Sequence, residues 1–354
     1  MREQRLLASG EAVTDLSHRG LLIVTGQDRL PWLHSLTTQH LSELSPGVAV
    51  EALVLSPHGH VEHSLHLVDD GERTWISVEA TSMRPASAPS TAEPVADWLR
   101  SMRFRKRVAV EDVSDQWAAL GLVIAPDAAL PEALSGALSG GVADAGSMVA
   151  GGPPSWQDPW PAIGEDTGVY TGAAPSEHPG WQRPWREIWL PRTELAATVA
   201  AAGPAGLSVA GSWASEALRV AAWRPRAGCE NDHRTLPHEA DWLRTGLHLT
   251  KGCYRGQETV ARVYHLGKPP RRLVMLHLDG SEHDLPAAGD AVFEVGGERA
   301  VGHVTTAVRH HELGPIALAM VKRALAVEAP LRVRAPGASP DGGQAASQEV
   351  IVAP

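Results

Sequence analysis

The hydrophobic period of this chain changes at Pro269–Pro270, and that change limits the fold more than any other feature. From Arg271 onward the apolar residues fall in short runs: Leu273–Leu278, Ala291–Val295, Ala300–Val304 and Ile316–Met320, with Gly and Asp between them. A period of two is that of a half-buried strand, and several short strands at this spacing predict a small closed or nearly closed β domain. Two adjacent prolines continue neither a helix nor a central strand, so the boundary falls there. Residues 269–336 are therefore expected to be a C-terminal β domain. Residues 337–354, rich in Gly, Ser, Pro and Gln, are expected to be a frayed, flexible tail.

Residues 1–268 alternate helical and strand patterns. The apolar run Gly20–Thr25 is followed by Asp28, a candidate N-cap for a helix through Leu30, Trp32, Leu33, Leu36 and Leu41. Val48–Leu55 and Val61–Val68 flank Ser56-Pro57-His58-Gly59, which has turn chemistry, so a hairpin is predicted. Another turn, at Asp69–Gly71, leads into a strand at Thr74–Val78. A helix follows around Val95–Met102, then the basic run Arg103–Arg107. Helices are also predicted over Glu194–Ala202 and from the cap candidate Ser212 to Trp223. Residues 81–94 and 135–180, dense in Pro, Gly, Ala and Ser, read as loop insertions. At 354 residues the chain has room for two to three domains.

Composition removes several classes of function. The formal net charge is −10, which argues against a nucleic-acid backbone as the main partner. The basic run alone reads as a solvated strand edge or a contact for an anionic tail. No apolar run approaches the length of a membrane span, and the first residues carry no secretory apolar core. Two cysteines, Cys229 and Cys253, make no disulfide framework, so the chain reads as cytoplasmic with reduced thiols. His58, His60, His63 and His66 lack metal-site spacing, and no metal is expected. Most of the 12 Trp are expected in the core, with some available as a stacking wall.

The densest segment is Thr250–Arg262. Gly252 and Gly256 bracket Cys253-Tyr254-Arg255, and Gln257–Tyr264 has helical spacing. A cysteine just ahead of a helix N-terminus, with Lys251 and Arg255 two residues to either side, is placed for a lowered pKa, because the dipole and the cations favour thiolate. Without those neighbours a lone cysteine is more often a small buried residue.

Lys251-Gly252-Cys253-Tyr254-Arg255-Gly256-Gln257-Glu258 resembles the K-G-C-Y-x-G-Q-E signature of the YgfZ family. These are folate-binding proteins related to the glycine-cleavage T-protein (aminomethyltransferase) and implicated in assembly or repair of iron–sulfur clusters. Arg219–Glu230, Leu236–Ala240, Val24–Leu33 and Leu55–Val61 are similar to other parts of that family, and the likeness runs over roughly residues 15–330. It implies an α+β, three-lobed T-protein-like folate-binding fold, with two α+β lobes in residues 1–268, a barrel-like third lobe, and a central hole for tetrahydrofolate or a one-carbon derivative.

The resemblance makes Lys251 and Cys253 the functional centre, with Tyr254, Gln257 and Glu258 shaping the pocket. Arg219, Arg255 and Arg262 are candidates for the glutamate tail of the folate, and Glu230 or Glu258 for the pterin edge. The implied partners are iron–sulfur proteins or their assembly machinery. The sequence also departs from the aminomethyltransferase pattern. His63 and Ser64 stand where that enzyme carries an acidic pair, Ala221 replaces a carboxylate after Arg219, and the T-protein has no thiol matching Cys253, so glycine-cleavage activity is not expected. A permanently bound four-cysteine cluster is excluded by the cysteine count. Two other readings stay open: a folate-dependent one-carbon transferase, in which Glu62 or His63 would have to serve as acid or base, and a non-catalytic folate-sensing module.

Overall fold

The computed structural model describes residues 1–79, 92–131, 134–135, 153–204, 206–280, 283–337 and 342–354. Most of the insertion at 81–94, and residues 136–152 of the second, lie outside this range.

Two five-stranded sheets and a closed six-stranded barrel form the framework. The first sheet contains β2 (Gly20–Thr25), β3 (Ala49–Leu55), β4 (Val61–Asp69), β5 (Arg73–Val78) and β6 (Ala109–Asp112), in the order β3-β4-β5-β2-β6. Its hairpin is the one predicted, turning at Ser56–Gly59, with a register shift after Val54. Helices α2 (Arg29–Leu36) and α3 (Glu93–Ser101) serve this lobe. The first helix begins after Asp28 as expected, yet Asp28 does not cap it, because its carboxylate accepts the backbone N–H of Arg107 instead. The helix also stops at Leu36 rather than continuing to Leu41.

The second sheet runs β10-β1-β7-β9-β8, made of β1 (Ala12–Asp15), β7 (Trp117–Val123), β8 (Ser155–Gln157), β9 (Trp185–Pro191) and β10 (Ser208–Ala210). Strand β7 is buried at every position, which its run Trp-Ala-Ala-Leu-Gly-Leu-Val makes possible. Around it pack α1 (Arg2–Ala8), α4 (Arg192–Ala202) and α5 (Ser212–Ala221). Helix α5 follows Gly211, and Ser212 is its first helical residue rather than its cap. The expectation of surface loops at 135–180 fails here: β8 carries a fully buried Trp156, and Trp160 is buried after it. Single tryptophans in a Pro/Gly-rich stretch provide the burial that periodicity does not signal.

The barrel is β11 (Arg271–Leu278), β12 (Ala291–Glu294), β13 (Gly302–His310), β14 (Gly314–Lys322), β15 (Leu331–Arg334) and β16 (Gln344–Val350), closing in the order β11-β14-β13-β12-β15-β16. The tail is therefore not frayed. Its polar sequence, Gln-Ala-Ala-Ser-Gln-Glu-Val, becomes a strand by pairing with β11 (Val274 with Val350) and with β15 (Leu331 with Ala346).

Buried ion pairs tie these parts together. Glu51 on β3 is 0% exposed. It accepts hydrogen bonds from Arg224 (3.1 Å), Trp242 Nε1 (2.9 Å), Ser64 (2.8 Å) and Thr245 (2.5 Å). Arg224 also reaches Asp158, and Arg271 at the barrel's first strand pairs with Asp232 and Glu239. A carboxylate buried with this many donors stays ionised, because each donor favours the charged form against the cost of burial.

Candidate functional site

The signature segment sits on the first lobe. Lys251 is only 6% exposed. Its Nζ donates to the carbonyl of Thr37 (2.5 Å) and to that of His34, the last-turn and C-cap carbonyls of α2. A lysine here satisfies carbonyls the helix leaves open and opposes the negative end of its dipole. Burial pushes the Lys251 ammonium down to about 8. The adjacent His34 is pushed down to about 4, first by desolvation and then by the Lys251 charge. Tyr254 packs in the core with its ring 5.1 Å from the ammonium, and burial raises its phenol.

Helix α7 (Gln257–Leu266, after the short α6 at Leu243–Gly246) starts where the spacing predicts. Gly256, at φ +82°, is required by contact: a Cβ there would meet Ser56 O at 2.5 Å and Gly59 Cα at 2.8 Å. The segment thus presses backbone to backbone on the hairpin turn of the first sheet. Arg255 pairs with Glu62 at 3.0 Å, while Glu258 and Arg262 face solvent. Cys253 is exposed. Both cations expected to flank the thiol are engaged elsewhere, Lys251 by carbonyls and Arg255 by Glu62.

Arg219 and Glu230, expected at a ligand, bond to one another at 2.9 Å. Arg219 also binds Glu216, Thr306 and the Arg224 carbonyl. Glu230 also accepts from Thr305, Thr306 and the Arg226 N–H. Each group's hydrogen-bonding capacity is filled by protein, so neither is open to a pterin or a tail. Ser64 donates to Glu51, and burial lowers His63.

A different set of residues converges where the three lobes meet. A cleft of about 270 Å³ is lined by Arg19 and Glu79 at strand ends of the first sheet, by Trp213 and Glu216 of α5, by Arg226 and Cys229, and by Thr306–Val308 of β13. Arg19 bonds Glu79 at 2.7 Å. That pair leaves Glu79 Oε2 and Arg19 Nε without partners, although both side chains are buried. Arg226 spans Glu216 (3.2 Å) and the Cys229 sulfur (2.9 Å), and against the cost of burial the charge of Arg219, followed by that of Arg226, holds the Glu216 carboxyl down to about 2. Burial, followed by the Glu230 charge, raises the Cys229 thiol. Trp213, 76% exposed, stands at the mouth. Among the described residues no group of three or more His, Cys, Asp or Glu is placed to hold a metal ion.

Sequence reasoning missed this cleft. Arg19 and Glu79 lie far from each other and from the Trp213–Arg226 stretch, and no motif joins the three segments. The expectation that some of the 12 Trp would be available as a stacking wall is the one sequence signal that bears on it.

Comparison with known proteins supports the architecture. Residues 271–340 match the glycine cleavage T-protein C-terminal barrel domain. The aminomethyltransferase of the glycine cleavage system from Bartonella henselae superposes with a TM-score of 0.68 at 18% identity, over 100% of this chain and 88% of that one. The fold is aminomethyltransferase-like. A putative chloroplastic transferase of Arabidopsis thaliana is 26% identical over 83% of this chain, which spans 64% of that protein's length. An iron–sulfur cluster assembly factor IBA57 homologue of Cryptococcus neoformans is 22% identical over 75% of this chain and 66% of its own. The tRNA-modifying protein YgfZ of Yersinia pestis is 33% identical over 33% of this chain and 36% of its own. These similarities support a family-level relation to such proteins without singling out one of them. No helix among the described residues is long and apolar enough to cross a membrane.

Proposed function

We propose that this protein binds a reduced folate in the central cleft and serves the assembly or repair of iron–sulfur clusters, with Cys253 as the thiol it presents to partners. One observation carries the reading. Where three lobes meet, a buried acceptor (Glu79 Oε2) and a buried donor (Arg19 Nε) stand unpaired in side chains that line a cleft with an exposed indole at its mouth. Both side chains line the cleft, and a ligand that brings a donor and an acceptor side by side would complete them. The 2-amino-4-oxo edge of a pterin does so: its N–H groups suit Glu79 and its O4 suits Arg19. The cleft's volume suits the bicyclic ring. Trp213 offers a face for the aryl portion as the tail leaves, and Arg226 offers a cation.

The iron–sulfur half of the proposal draws on the relatives named above and on the exposed thiol. Cys253 stands on a loop anchored at both sides, by Lys251 to α2 and by Gly256 to the hairpin turn, which presents the sulfur to a docking protein. Titration calorimetry of the intact protein with tetrahydrofolate is expected to show one saturable site that weakens on Glu79→Gln substitution. A null titration overturns the folate reading. In a strain lacking the protein, the Cys253→Ala variant is expected to fold but fail to restore iron–sulfur enzyme activity, and full restoration overturns the thiol's role.

A further inference from the structure

The basic run Arg103–Arg107 plays no part in the cleft or the thiol loop, and the structure gives it a definite shape. Arg103 and Lys106 close a tight turn through the Lys106 N–H to Arg103 O bond at 2.9 Å. Phe104 occupies the second position of that turn at φ +46° and is 86% exposed. A bulky side chain is rarely found at positive φ, and such strain persists only where the surroundings enforce it. Here Asp28 enforces it: its carboxylate holds the Arg107 N–H at 2.8 Å and pairs with the Arg107 side chain. Arg103, Arg105 and Lys106 are all exposed and make no side-chain hydrogen bond or ion pair among the described residues. Elsewhere the chain pairs its arginines with carboxylates, as at Arg19, Arg29, Arg219, Arg224 and Arg271.

We propose that this turn is a docking point for single-stranded nucleic acid, with one unstacked base lying on Phe104 and successive phosphates on Arg103, Arg105 and Lys106. An aromatic ring held out of the core beside several free cations is the arrangement that binds single strands without reading their sequence. The net charge of −10 argues against nucleic acid as the main partner of the whole chain, but at physiological salt charges beyond about 8 Å are screened, so at this turn the local cations decide. A lipid surface fits less well: the turn offers one apolar side chain, whereas stable membrane attachment needs a broader apolar face or a second anchor. An acidic peptide would meet the charges and leave the ring without a flat partner.

The test is fluorescence anisotropy of the intact protein with a labelled oligouridylate, with oligothymidylate, anionic phosphatidylserine vesicles and polyglutamate as competitors. The logarithm of affinity is expected to fall against the logarithm of salt concentration with a slope near −2, since each of three phosphate contacts contributes about −0.7. Substituting Arg105→Gln or Lys106→Gln is expected to flatten that slope by about one such step. Phe104→Gly relieves the positive φ, so this variant is expected to melt no lower than the parent while binding the oligonucleotide roughly ten-fold more weakly. Displacement by thymidylate as well as uridylate supports stacking on either backbone, and displacement by uridylate alone assigns the site to RNA. Absence of binding, an unchanged affinity in Phe104→Gly, or equal displacement by vesicles or polyglutamate overturns the proposal.

Discussion

The signature segment and the central cleft distribute chemistry in opposite ways. In the segment, reactive residue types are contiguous, yet most of them build structure: Lys251 closes the end of α2, Tyr254 fills core, and Gly256 permits contact with the hairpin turn. Among the residues from Lys251 to Tyr254, only Gly252 and Cys253 are exposed. In the cleft, by contrast, residues far apart in sequence meet with unpaired polar atoms. The density of a motif thus measures how many constraints a segment satisfies, some of them purely mechanical.

Four measurements sharpen or break this contrast. The largest effect is expected at Gly256, whose replacement by Ala forces a Cβ into the Ser56 carbonyl at a left-handed φ. About 3 kcal/mol of stability should be lost, read as a shift in the urea midpoint at constant slope. A neutral Gly256→Ala would mean that the segment does not press on the hairpin turn.

Next is the proton on Lys251. Its folded pKa lies near 8, below the 10.5 of a free lysine, so the unfolded chain binds more protons between those values. Stability therefore rises with pH through that window, with a slope approaching about 1.4 kcal/mol per pH unit. The difference between the parent and Lys251→Met in urea melts across pH 8 to 10 isolates this contribution. Equal slopes in the two proteins would show that the ammonium is not buried.

Third, Trp213→Ala should weaken tetrahydrofolate binding roughly ten-fold in calorimetry and leave the melting temperature unchanged, since the ring is mostly outside. If binding instead falls in Glu258→Gln and not in Trp213→Ala, the ligand belongs to the signature segment and the contrast reverses. The smallest expected change is the stability of Cys253→Ala, within about 0.5 kcal/mol of the parent. Its remaining thiol, Cys229, half-buried with a raised pKa, should alkylate slowly at neutral pH, because the thiolate is the nucleophile. Rapid alkylation in that variant would mean that the cleft is open to solvent at its sulfur.

Much of the architecture was legible because local rules and the final fold agree. The turn at Ser56–Gly59 and the start of the helix after Asp28 follow from turn chemistry and hydrophobic period, and each of the four predicted barrel segments overlaps a strand, although β13 runs on to His310 and β15 was not foreseen. The last strand was not legible, because Gln344–Val350 has no apolar alternation and owes its conformation to its neighbours' backbone. Strand β8 escaped notice for a similar reason: its single Trp156 is held by a second-sheet partner far along the chain. The folate candidates Arg219 and Glu230 carry the right charges for a ligand, but charge type does not reveal that they sit 2.9 Å apart and consume each other.

The seam of the barrel has a kinetic consequence. Neighbours such as β13 and β14 meet across a short turn, whereas β11 meets β16 only after the intervening chain has been drawn into a loop. Loop closure costs more entropy the longer the loop, so the short hairpin zips early and the seam shuts late. The edges of β11 and β15 stay unsatisfied until it does, and during that interval the nascent third lobe is open to pairing with the wrong strand.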